Sequence, residues 1–320
     1  MSMAKTLVKL QALAGVAILA AFSPLLVAAA LLWKLFGKLF CLSSSPKSIV
    51  GEVAVVTGAG HGLGRAIALE LADKGCHVAV VDINMTGAES TVKQIQEKAK
   101  VRAKAYKADV SNYLELVQLN RDVVTDLGPV TVLINNAGIL LHRNSVDPEP
   151  AEVQQMINVN LAAHFWTRMV FLPTMKAMRR GYLLTISSLA GLFPLPYNTT
   201  YTATKAGTTA HMRALRMELA LEQLKDIHVC TAMPTFLEAN EEVTHLSNEI
   251  KISNLYPLIS AKEAAHRIVD GMLRGEREIM LPGLAALLYR LMSLLPVSWQ
   301  DRAMVLASGS RFKQFCALRN

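Results

Sequence analysis

Residues 53–64 read Val53-Ala54-Val55-Val56-Thr57-Gly58-Ala59-Gly60-His61-Gly62-Leu63-Gly64, and this stretch decides the fold. Its first four residues form a short apolar run of the kind that builds a buried parallel strand. Four glycines follow, and residues 65–74 continue as a helical pattern. This order predicts a phosphate-binding loop, because glycines admit phosphates to the backbone and a helix N-terminus offers free N–H groups. The alternative is an ordinary glycine turn.

Further strand-like runs follow along the chain, separated by helical stretches. They cover residues 77–81, 101–106, 130–134, 182–186 and 227–233, with residues 278–281 as the candidate for the last strand. Strands that alternate with helices predict an α/β fold, a doubly wound and mostly parallel sheet of the Rossmann type. Ligands of such sheets bind at the carboxyl ends of the strands. Gly58, Asp82, Asp109, Asn136 and Ser188 all fall at such ends.

Asp82 follows the second strand, 18 residues beyond Gly64, close to where an acid holds an adenosine ribose. A carboxylate at this place repels a 2′-phosphate, so it favours NAD(H) over NADP(H). No basic residue follows Asp82 directly, although His61 lies in the loop. Asp109, at the end of the third strand, is a candidate for the edge of the adenine ring. A solvent-facing acid at the strand end is the alternative for Asp82.

A second stretch, Tyr201-Thr202-Ala203-Thr204-Lys205, carries candidate chemistry. Its tyrosine and lysine are four residues apart, so they share one face of a helix. An ammonium close to a phenol lowers the pKa of the phenol, which then exchanges protons with an alcohol or carbonyl near neutral pH. Ser188 lies thirteen residues upstream, where its hydroxyl can hold the substrate oxygen. The spacing Y-x-x-x-K is common by chance, but together with Ser188 and the glycine loop it predicts a catalytic site.

On these motifs, residues 50–285 resemble the short-chain dehydrogenase/reductase family. The resemblance rests on the glycine loop, on N-N-A-G at residues 135–138, on N-V-N ending at Asn160, and on the serine, tyrosine and lysine above. It implies that Tyr201 is the acid/base and that Ser188 positions the substrate oxygen. It also implies that Lys205 binds the nicotinamide ribose and lowers the tyrosine pKa, and that Asn160 shapes a helix that holds a water near Lys205.

The resemblance further implies NAD as the cofactor and a homodimer formed through the helices that carry Asn158 and Tyr201. The residues that it implies for cofactor binding are Thr57, Gly58, Gly60, His61, Gly62, Leu63, Gly64, Asp82, Asp109, Val110, Asn136, Ala137, Gly138, Tyr201, Lys205, Pro234 and Phe236.

One position departs from the family pattern. The family carries a threonine five residues after the proline that ends the sixth strand, where it binds the nicotinamide carboxamide. Here Ala239 stands five residues after Pro234, and Thr235 is a candidate substitute. Altered cofactor affinity or loop closure is therefore expected. Residues 236–256 are expected to form a substrate lid whose apolar side chains suit a lipophilic alcohol, with ordinary packing as the alternative.

Basic charge is concentrated at the two ends of the chain. The net charge is +8, with +5 in residues 1–51 and +4 in residues 290–320, which leaves −1 for the middle. With a hydrophobic fraction of 52%, such ends favour an anionic lipid surface over a nucleic-acid groove. The sequence has no basic patch interleaved with aromatic residues that would bind nucleic acid.

Residues 11–33 contain no charged residue, and the run from Ala12 to Trp33 is long enough to cross a hydrocarbon core as a helix. Three alternatives are open: a signal peptide cleaved near residues 28–30, a single membrane span, and a monotopic insertion bent at Pro24. A retained anchor is favoured, because the run is too long for a usual signal peptide. Lysines on both sides lean towards a cytosolic body.

A second apolar stretch, residues 281–299, precedes the basic C-terminus. Its large apolar residues at helical spacing are Leu284, Leu287, Leu288, Leu291, Met292 and Leu295. This pattern predicts a helix lying on lipid, with a core or dimer helix as the alternative. The predicted organisation is a membrane anchor over 1–40, a linker over 41–50, a Rossmann-type dehydrogenase domain over 51–283 and an apolar, basic helical tail over 284–320.

The cysteines are Cys41, Cys76, Cys230 and Cys316, and they form neither a C-x-x-C motif nor a cluster with histidine. Reduced thiols in a reducing compartment and no metal site are therefore expected.

These patterns predict an NAD(H)-dependent oxidoreductase that interconverts a lipophilic alcohol and its carbonyl, and the family resemblance implies retinol or a hydroxysteroid as the alcohol. The closer resemblance is to the membrane-associated branch with the epidermal retinol dehydrogenases and the lipid-droplet 17-beta-hydroxysteroid dehydrogenases, on residues 58–62, 81–84 and both apolar ends. The expected location is the endoplasmic reticulum membrane or a lipid droplet, with the catalytic domain facing the cytosol. The alternative is a membrane-tethered, weakly active or inactive binding or scaffold protein of dehydrogenase fold, which Ala239 keeps open.

Overall fold

The computed structural model describes Ser23 and residues 45–140, 148–194, 196–235, 237–238 and 258–306. Contacts divide the chain into two compact units, Met1–Ser45 and Pro46–Asn320, and the boundary falls inside the predicted linker. Only Ser23, which is helical, and Ser45 are described in the first unit. The predicted anchor therefore lies outside the described residues, apart from Ser23. In the part of the chain that is described, no helix is both long and apolar enough to cross a membrane.

Seven of the described strands form one parallel sheet. In chain order, the described strands are β1 (Val53–Thr57), β2 (His77–Asp82), β3 (Ala103–Lys107), β4 (Val130–Asn135), β5 (Gly181–Ile186), β6 (Ile227–Pro234), β7 (Leu237–Glu238), β8 (Ile259–Ser260) and β9 (Glu278–Leu281). The sheet has the order β3-β2-β1-β4-β5-β6-β9, while β7 pairs with β8 alone. The predicted doubly wound parallel sheet is confirmed.

The third strand differs from its prediction at both ends. It was expected over residues 101–106 and extends from Ala103 to Lys107. Its pairing with β2 begins where Val78 lies beside Ala103, and the Val78 N–H donates to the Arg102 carbonyl at 3.0 Å. Only Tyr106 is buried in this edge strand, so the apolar pattern marked its limits weakly.

Helices cover both faces of the sheet. They are α1 (Gly62–Asp73), α2 (Met85–Lys98), α3 (Tyr113–Asp126), α4 (Pro150–Ile157), α5 (Ala163–Met178), α6 (Thr199–Leu221), α7 (Ala261–Leu273) and α8 (Leu284–Met292). A π-helical turn, Asn158–Ala162, joins α4 to α5, and residues 297–306 are also helical. Side chains of α1, α2 and α7 build the core on one face, and side chains of α3, α5 and α6 build it on the other. Both faces of the central strands are therefore buried, which explains their unbroken apolar runs.

Candidate active site

The glycine loop folds back on the ends of β1 and β4. Gly58 has a φ of 64°, and a Cβ at this residue would lie 2.8 Å from the Cα of Ala137. At Gly64, a Cβ would lie 2.1 Å from the carbonyl oxygen of Gly58. Real Cβ atoms do not come so close to backbone, so only glycine fits both places. The loop therefore presents bare backbone at the carboxyl edge of the sheet.

Thr57 and Asn136 lock this loop in place. The backbone N–H groups of Asn136 and Ala137 donate to the Thr57 hydroxyl at 3.0 and 3.1 Å. The Asn136 amide donates to the carbonyls of Thr57 and Gly58, both at 3.0 Å. Arg65 adds a guanidinium bond to the Gly60 carbonyl. Thr57 and Asn136 were predicted to bind cofactor, and the contacts that the structure gives them are ones that shape the loop.

The N-terminus of α1 lies open beside the glycine loop. Its first turn has no acidic residue, and no described side chain caps it. In contrast, Asn84, Asn112 and Ser260 cap α2, α3 and α7. An uncapped helix N-terminus beside bare backbone has free N–H donors and a positive dipole end, which is what a pyrophosphate needs. The loop and α1 thus fit the phosphates of NAD.

Asp82 lies at the end of β2, as predicted, and is buried. Its carboxylate accepts the Gly60 N–H at 2.8 Å and the Asn84 N–H at 2.9 Å. The carboxylate is therefore fixed beside the glycine loop, where an acid suits a ribose hydroxyl. The NAD preference inferred from Asp82 is consistent with this placement.

Asp109 follows β3 and is partly buried, with Val110 buried beside it. One carboxylate oxygen accepts both the N–H and the hydroxyl of Ser111, at 2.9 and 2.8 Å. This turn fixes Asp109 at the same edge of the sheet as Asp82. Contact with an adenine ring stays a prediction.

Tyr201 lies in the first turns of α6, and its hydroxyl shares a hydrogen bond with Ser188. The sequence predicted a lowered phenol pKa, and this is wrong for the protein without ligand. Burial raises the pKa of Tyr201 above its usual value, and the Ser188 hydroxyl offsets part of that rise. Lys205 stands over the face of the tyrosine ring, with its Nζ 5.6 Å from the centroid. The ammonium is therefore close enough to the ring for a cation–π contact.

Lys205 is almost fully buried, with 4% of its surface exposed. Its Nζ donates to the Ile186 carbonyl, at the end of β5, at 3.1 Å. Burial lowers the pKa of Lys205 to about 8, so the ammonium is still the main form at pH 7. The side chain thus carries a positive charge between β5 and Tyr201.

Asn160 is fully buried in the π-helical turn. Its amide donates to the Ile139 carbonyl and accepts the Ile139 N–H, both at 2.8 Å. A Cβ on Gly138 would lie 3.3 Å from Asn160 Oδ1 and 3.4 Å from Lys205 Nζ. The tetrad positions implied by the resemblance therefore lie around the ends of β4 and β5. Their catalytic roles stay predictions.

His164 was missed at the sequence level. His164 lies at the start of α5, one turn after Asn160, and is 3% exposed. Burial, and then the charge of Lys205, lower the pKa of its imidazole. A single histidine inside a helix has no motif, so the sequence had no signal for it. Burial between helices identifies it only once the fold is known.

The end of β6 also lies at the carboxyl edge of the sheet. Pro234 pairs with Leu281 of β9, and the Thr235 N–H donates to the Leu281 carbonyl at 2.9 Å. Phe236, Ala239 and all but residues 237–238 of the predicted lid lie outside the described residues. Within the described ranges, no group of three histidine, cysteine, aspartate or glutamate residues is arranged to hold a metal.

Comparison with known proteins gives the family. The family model for short chain dehydrogenase matches residues 52–249. Estradiol 17-beta-dehydrogenase 11 of Macaca fascicularis is 31% identical over 275 residues, which cover 85% of this chain and 88% of the relative. Human epidermal retinol dehydrogenase 2 is 32% identical over 262 residues, 81% of this chain and 83% of the relative.

The fold is also similar to solved structures. A short chain dehydrogenase/reductase from Burkholderia phymatum, crystallised in complex with NAD, superposes with a TM-score of 0.69 at 20% identity. The similarity covers 77% of this chain and 94% of that protein. The family match spans the glycine loop, the tetrad positions and most of the sheet. This chain therefore belongs to the short chain dehydrogenase family.

Proposed function

We propose that this protein is an NAD(H)-dependent oxidoreductase that interconverts a lipophilic alcohol, retinol or a hydroxysteroid, and its carbonyl. One observation carries the proposal. Ser188 and Tyr201 share a hydrogen bond, the Lys205 ammonium lies over the tyrosine ring, and all three residues lie at the carboxyl edge of the sheet, as the glycine loop does. An alcohol dehydrogenase needs a group that donates and accepts a proton next to its dinucleotide-binding loop.

NAD supplies the hydride acceptor when it is bound against the glycine loop, α1 and Asp82. Tyr201 takes the hydroxyl proton of the alcohol during oxidation and returns it during reduction. The Ser188 hydroxyl holds the substrate oxygen next to the phenol. We propose that the charge of Lys205 favours the phenolate when the site is at work. In the structure, the Ser188 hydroxyl offsets part of the rise in the Tyr201 pKa that burial causes.

Two observations support a lipophilic substrate. The relatives are named as an estradiol dehydrogenase and a retinol dehydrogenase. In addition, the turn after Ser188 packs Leu189 in a small apolar cluster with Met233 and Ala285, against which Leu192 and Phe193 lie. Apolar side chains directly after the serine suit a substrate with little polarity around its reacting oxygen.

The proposal includes a lipid surface as a partner and a homodimer as the assembly. The uncharged run of residues 11–33 and the basic chain ends support membrane attachment. Leu284, Leu287, Leu288 and Leu291 are exposed along α8, which suits a helix that lies on lipid. We place the protein at the endoplasmic reticulum membrane or a lipid droplet, with its catalytic domain facing the cytosol.

The test is NAD-dependent oxidation of retinol and a panel of hydroxysteroids by membranes that contain the full chain. Tyr201→Phe is expected to lower kcat by roughly 10²–10⁴-fold, the usual worth of a general acid/base, without loss of fold. Tyr113→Phe, a half-exposed tyrosine on α3, is the matched control and is expected to act as the wild type.

Equal activity in the Tyr201→Phe variant would overturn the proposed mechanism. Bound NAD with no turnover of any alcohol would favour the binding or scaffold protein. The replacement of the usual threonine by Ala239 is the observation that supports this second function.

A further inference from the structure

The end of β5 is joined to α6 by three consecutive residues, Ile186, Ser187 and Ser188. The Ile186 carbonyl accepts the Lys205 ammonium at 3.1 Å. The Ser188 hydroxyl shares a hydrogen bond with Tyr201. Between these two contacts, the Ser187 hydroxyl lies 2.9 Å from the Lys205 carbonyl oxygen, and Ser187 has no part in the mechanism above. The end of β5 thus contacts Lys205 through both its side chain and its backbone.

The Ser187 hydroxyl belongs to a triangle of oxygen atoms. Its Oγ lies 2.9 Å from Thr209 Oγ1, which lies 3.0 Å from the Lys205 carbonyl oxygen. At least one of the two hydroxyls donates to the carbonyl, whichever way the bond between them points. All three residues are buried, so no water replaces a partner that is lost. The triangle is therefore a firm link between β5 and α6.

Ser187 and the turn after it are also fixed by backbone contacts. The Ser187 N–H donates to the Ala232 carbonyl of β6 at 2.8 Å, so this residue joins β6 to α6. Further along, a Cβ on Gly191 would lie 2.8 Å from the carbonyl carbon of Lys205. The turn therefore lies directly on the backbone of α6. The position of the Ser188 turn thus depends on its contacts with α6 around Lys205.

The Ser188 hydroxyl is held in orientation as well as in place. Its Oγ accepts the Ala190 N–H at 3.1 Å, and its single hydrogen can then point to the Tyr201 oxygen. The bond with Ser188 lowers the pKa of Tyr201, as a donor to the phenolate does. Hydrogen bonds weaken steeply when their distance or angle changes. The separation of β5 and α6 therefore decides how well Ser188 reaches the phenol.

We propose that Ser187 is a positioning residue for the reaction. Its hydroxyl, together with that of Thr209, holds the end of β5 to the Lys205 carbonyl and so sets the separation of Ser188 and Tyr201. Tyr201 lies one turn before Lys205 on the same helix. A fixed distance from Ser187 to the Lys205 carbonyl therefore also fixes the distance from Ser188 to the phenol.

This inference rests on the proposed function, and a double-mutant cycle tests it. The kcat of alcohol oxidation is measured for Ser187→Ala in the wild type and in a Ser188→Ala background. In the wild type, Ser187→Ala is expected to lower kcat about tenfold, because a misplacement of ~1 Å can cost on the order of 10²-fold. In the Ser188→Ala background, it is expected to lower kcat less than about twofold, since the group that it positions is gone. The Kd of NAD, measured by calorimetry, is expected to stay the same.

Two buried threonines provide a matched control. Thr209→Val removes one corner of the triangle and is expected to lower kcat about threefold. Thr167→Val removes a hydroxyl of equal burial on α5, which donates to the Ala163 carbonyl one turn earlier at 3.0 Å, as Thr209 does to that of Lys205. Thr167→Val is expected to lower the Tm by a similar amount and to keep the kcat of the wild type.

The proposal is overturned if Ser187→Ala keeps the kcat of the wild type. It is also overturned if Ser187→Ala lowers kcat by the same factor with and without the Ser188 hydroxyl, which is the result of a general loss of packing. If the wild type oxidises no alcohol, the proposed function fails, and crystal structures of the wild type and Ser187→Ala decide the inference. Loss of the hydrogen bond between Ser188 and Tyr201 in the variant supports it, and an unchanged bond refutes it.

Discussion

At Tyr201, burial and the hydrogen bond with Ser188 shift the pKa of the phenol in opposite directions. The Y-x-x-x-K spacing correctly put Lys205 on the same helix face, over the ring at 5.6 Å. It could not show that both side chains lose water, which raises the pKa of the tyrosine and lowers that of the lysine. Sequence spacing predicts which groups meet, whereas desolvation depends on residues from β5 and α5 that lie far away in the chain.

Lys205 gives a pH dependence whose sign follows from burial. Its pKa falls from 10.5 to about 8 on folding, so between these values the unfolded chain binds more protons and stability rises with pH. The free energy of unfolding of the wild type, relative to Lys205→Met, is expected to increase by roughly 2 kcal/mol from pH 7 to pH 9.5. Urea unfolding at both pH values measures it. A difference that is constant or shrinks with pH would show that Lys205 is not desolvated as described.

His164 shows what spacing cannot reveal at the level of a residue. Glycines, Asp82, Ser188, Tyr201 and Lys205 stand in spaced motifs, so the sequence identified them as candidates. His164 belongs to no motif, so the sequence did not identify it. Its burial and its place near Lys205 exist only once α5 packs on α6.

At the level of elements, strands were more predictable than turns. The seven strands of the main sheet carry apolar runs or end at motif residues, so pattern alone located them. The π-helical turn at Asn158–Ala162 has no such pattern, because it forms where Asn160 reaches across to Ile139. The pair β7 and β8 is only two residues long in each strand, too short for periodicity to mark.

The clamp between Asn160 and Ile139 predicts a matched pair of variants. Asn160→Ala leaves a backbone N–H and a carbonyl without their partner, so it is expected to lower the free energy of unfolding by about 2–3 kcal/mol. Asn158→Ala removes only an exposed bond from Gln154 and is expected to cost less than about 0.5 kcal/mol. Chemical denaturation of both variants checks this. Equal losses would mean that the clamp does not hold the turn to β4.

At the scale of the whole molecule, the sheet order brings distant motifs together. The parallel strands β2, β1, β4 and β5 are neighbours, so their carboxyl ends meet at one edge. That convergence was predictable because strands alternating with helices leave few topologies. The packing of α8 against the sheet was not predictable, since its contacts depend on single side chains. Ala285 is buried beside Leu189, and the Tyr289 ring meets that of Phe193 at 5.5 Å.

This docking turns one face of α8 to the turn after Ser188 and leaves the other face exposed. Leu287, Leu288 and Leu291 are 40%, 43% and 51% exposed, and Arg290 lies among them. An apolar helix face with a basic residue suits an anionic bilayer. The triple variant Leu287→Ser, Leu288→Ser, Leu291→Ser is therefore expected to weaken binding to vesicles with anionic lipid, and by more than about tenfold.

The binding is measured by vesicle sedimentation with the chain from Pro46 onwards, a compact unit that lacks the N-terminal apolar run. Its control is an equal change elsewhere: Val50→Ser, Leu114→Ser and Val124→Ser alter three exposed apolar side chains, one before β1 and two on α3. If only the α8 variant loses binding to the vesicles, the exposed face of α8 contacts lipid. If vesicle binding is unchanged and the α8 variant alters the oligomeric state instead, the same leucines face another copy of the chain, and the lipid proposal for α8 is wrong.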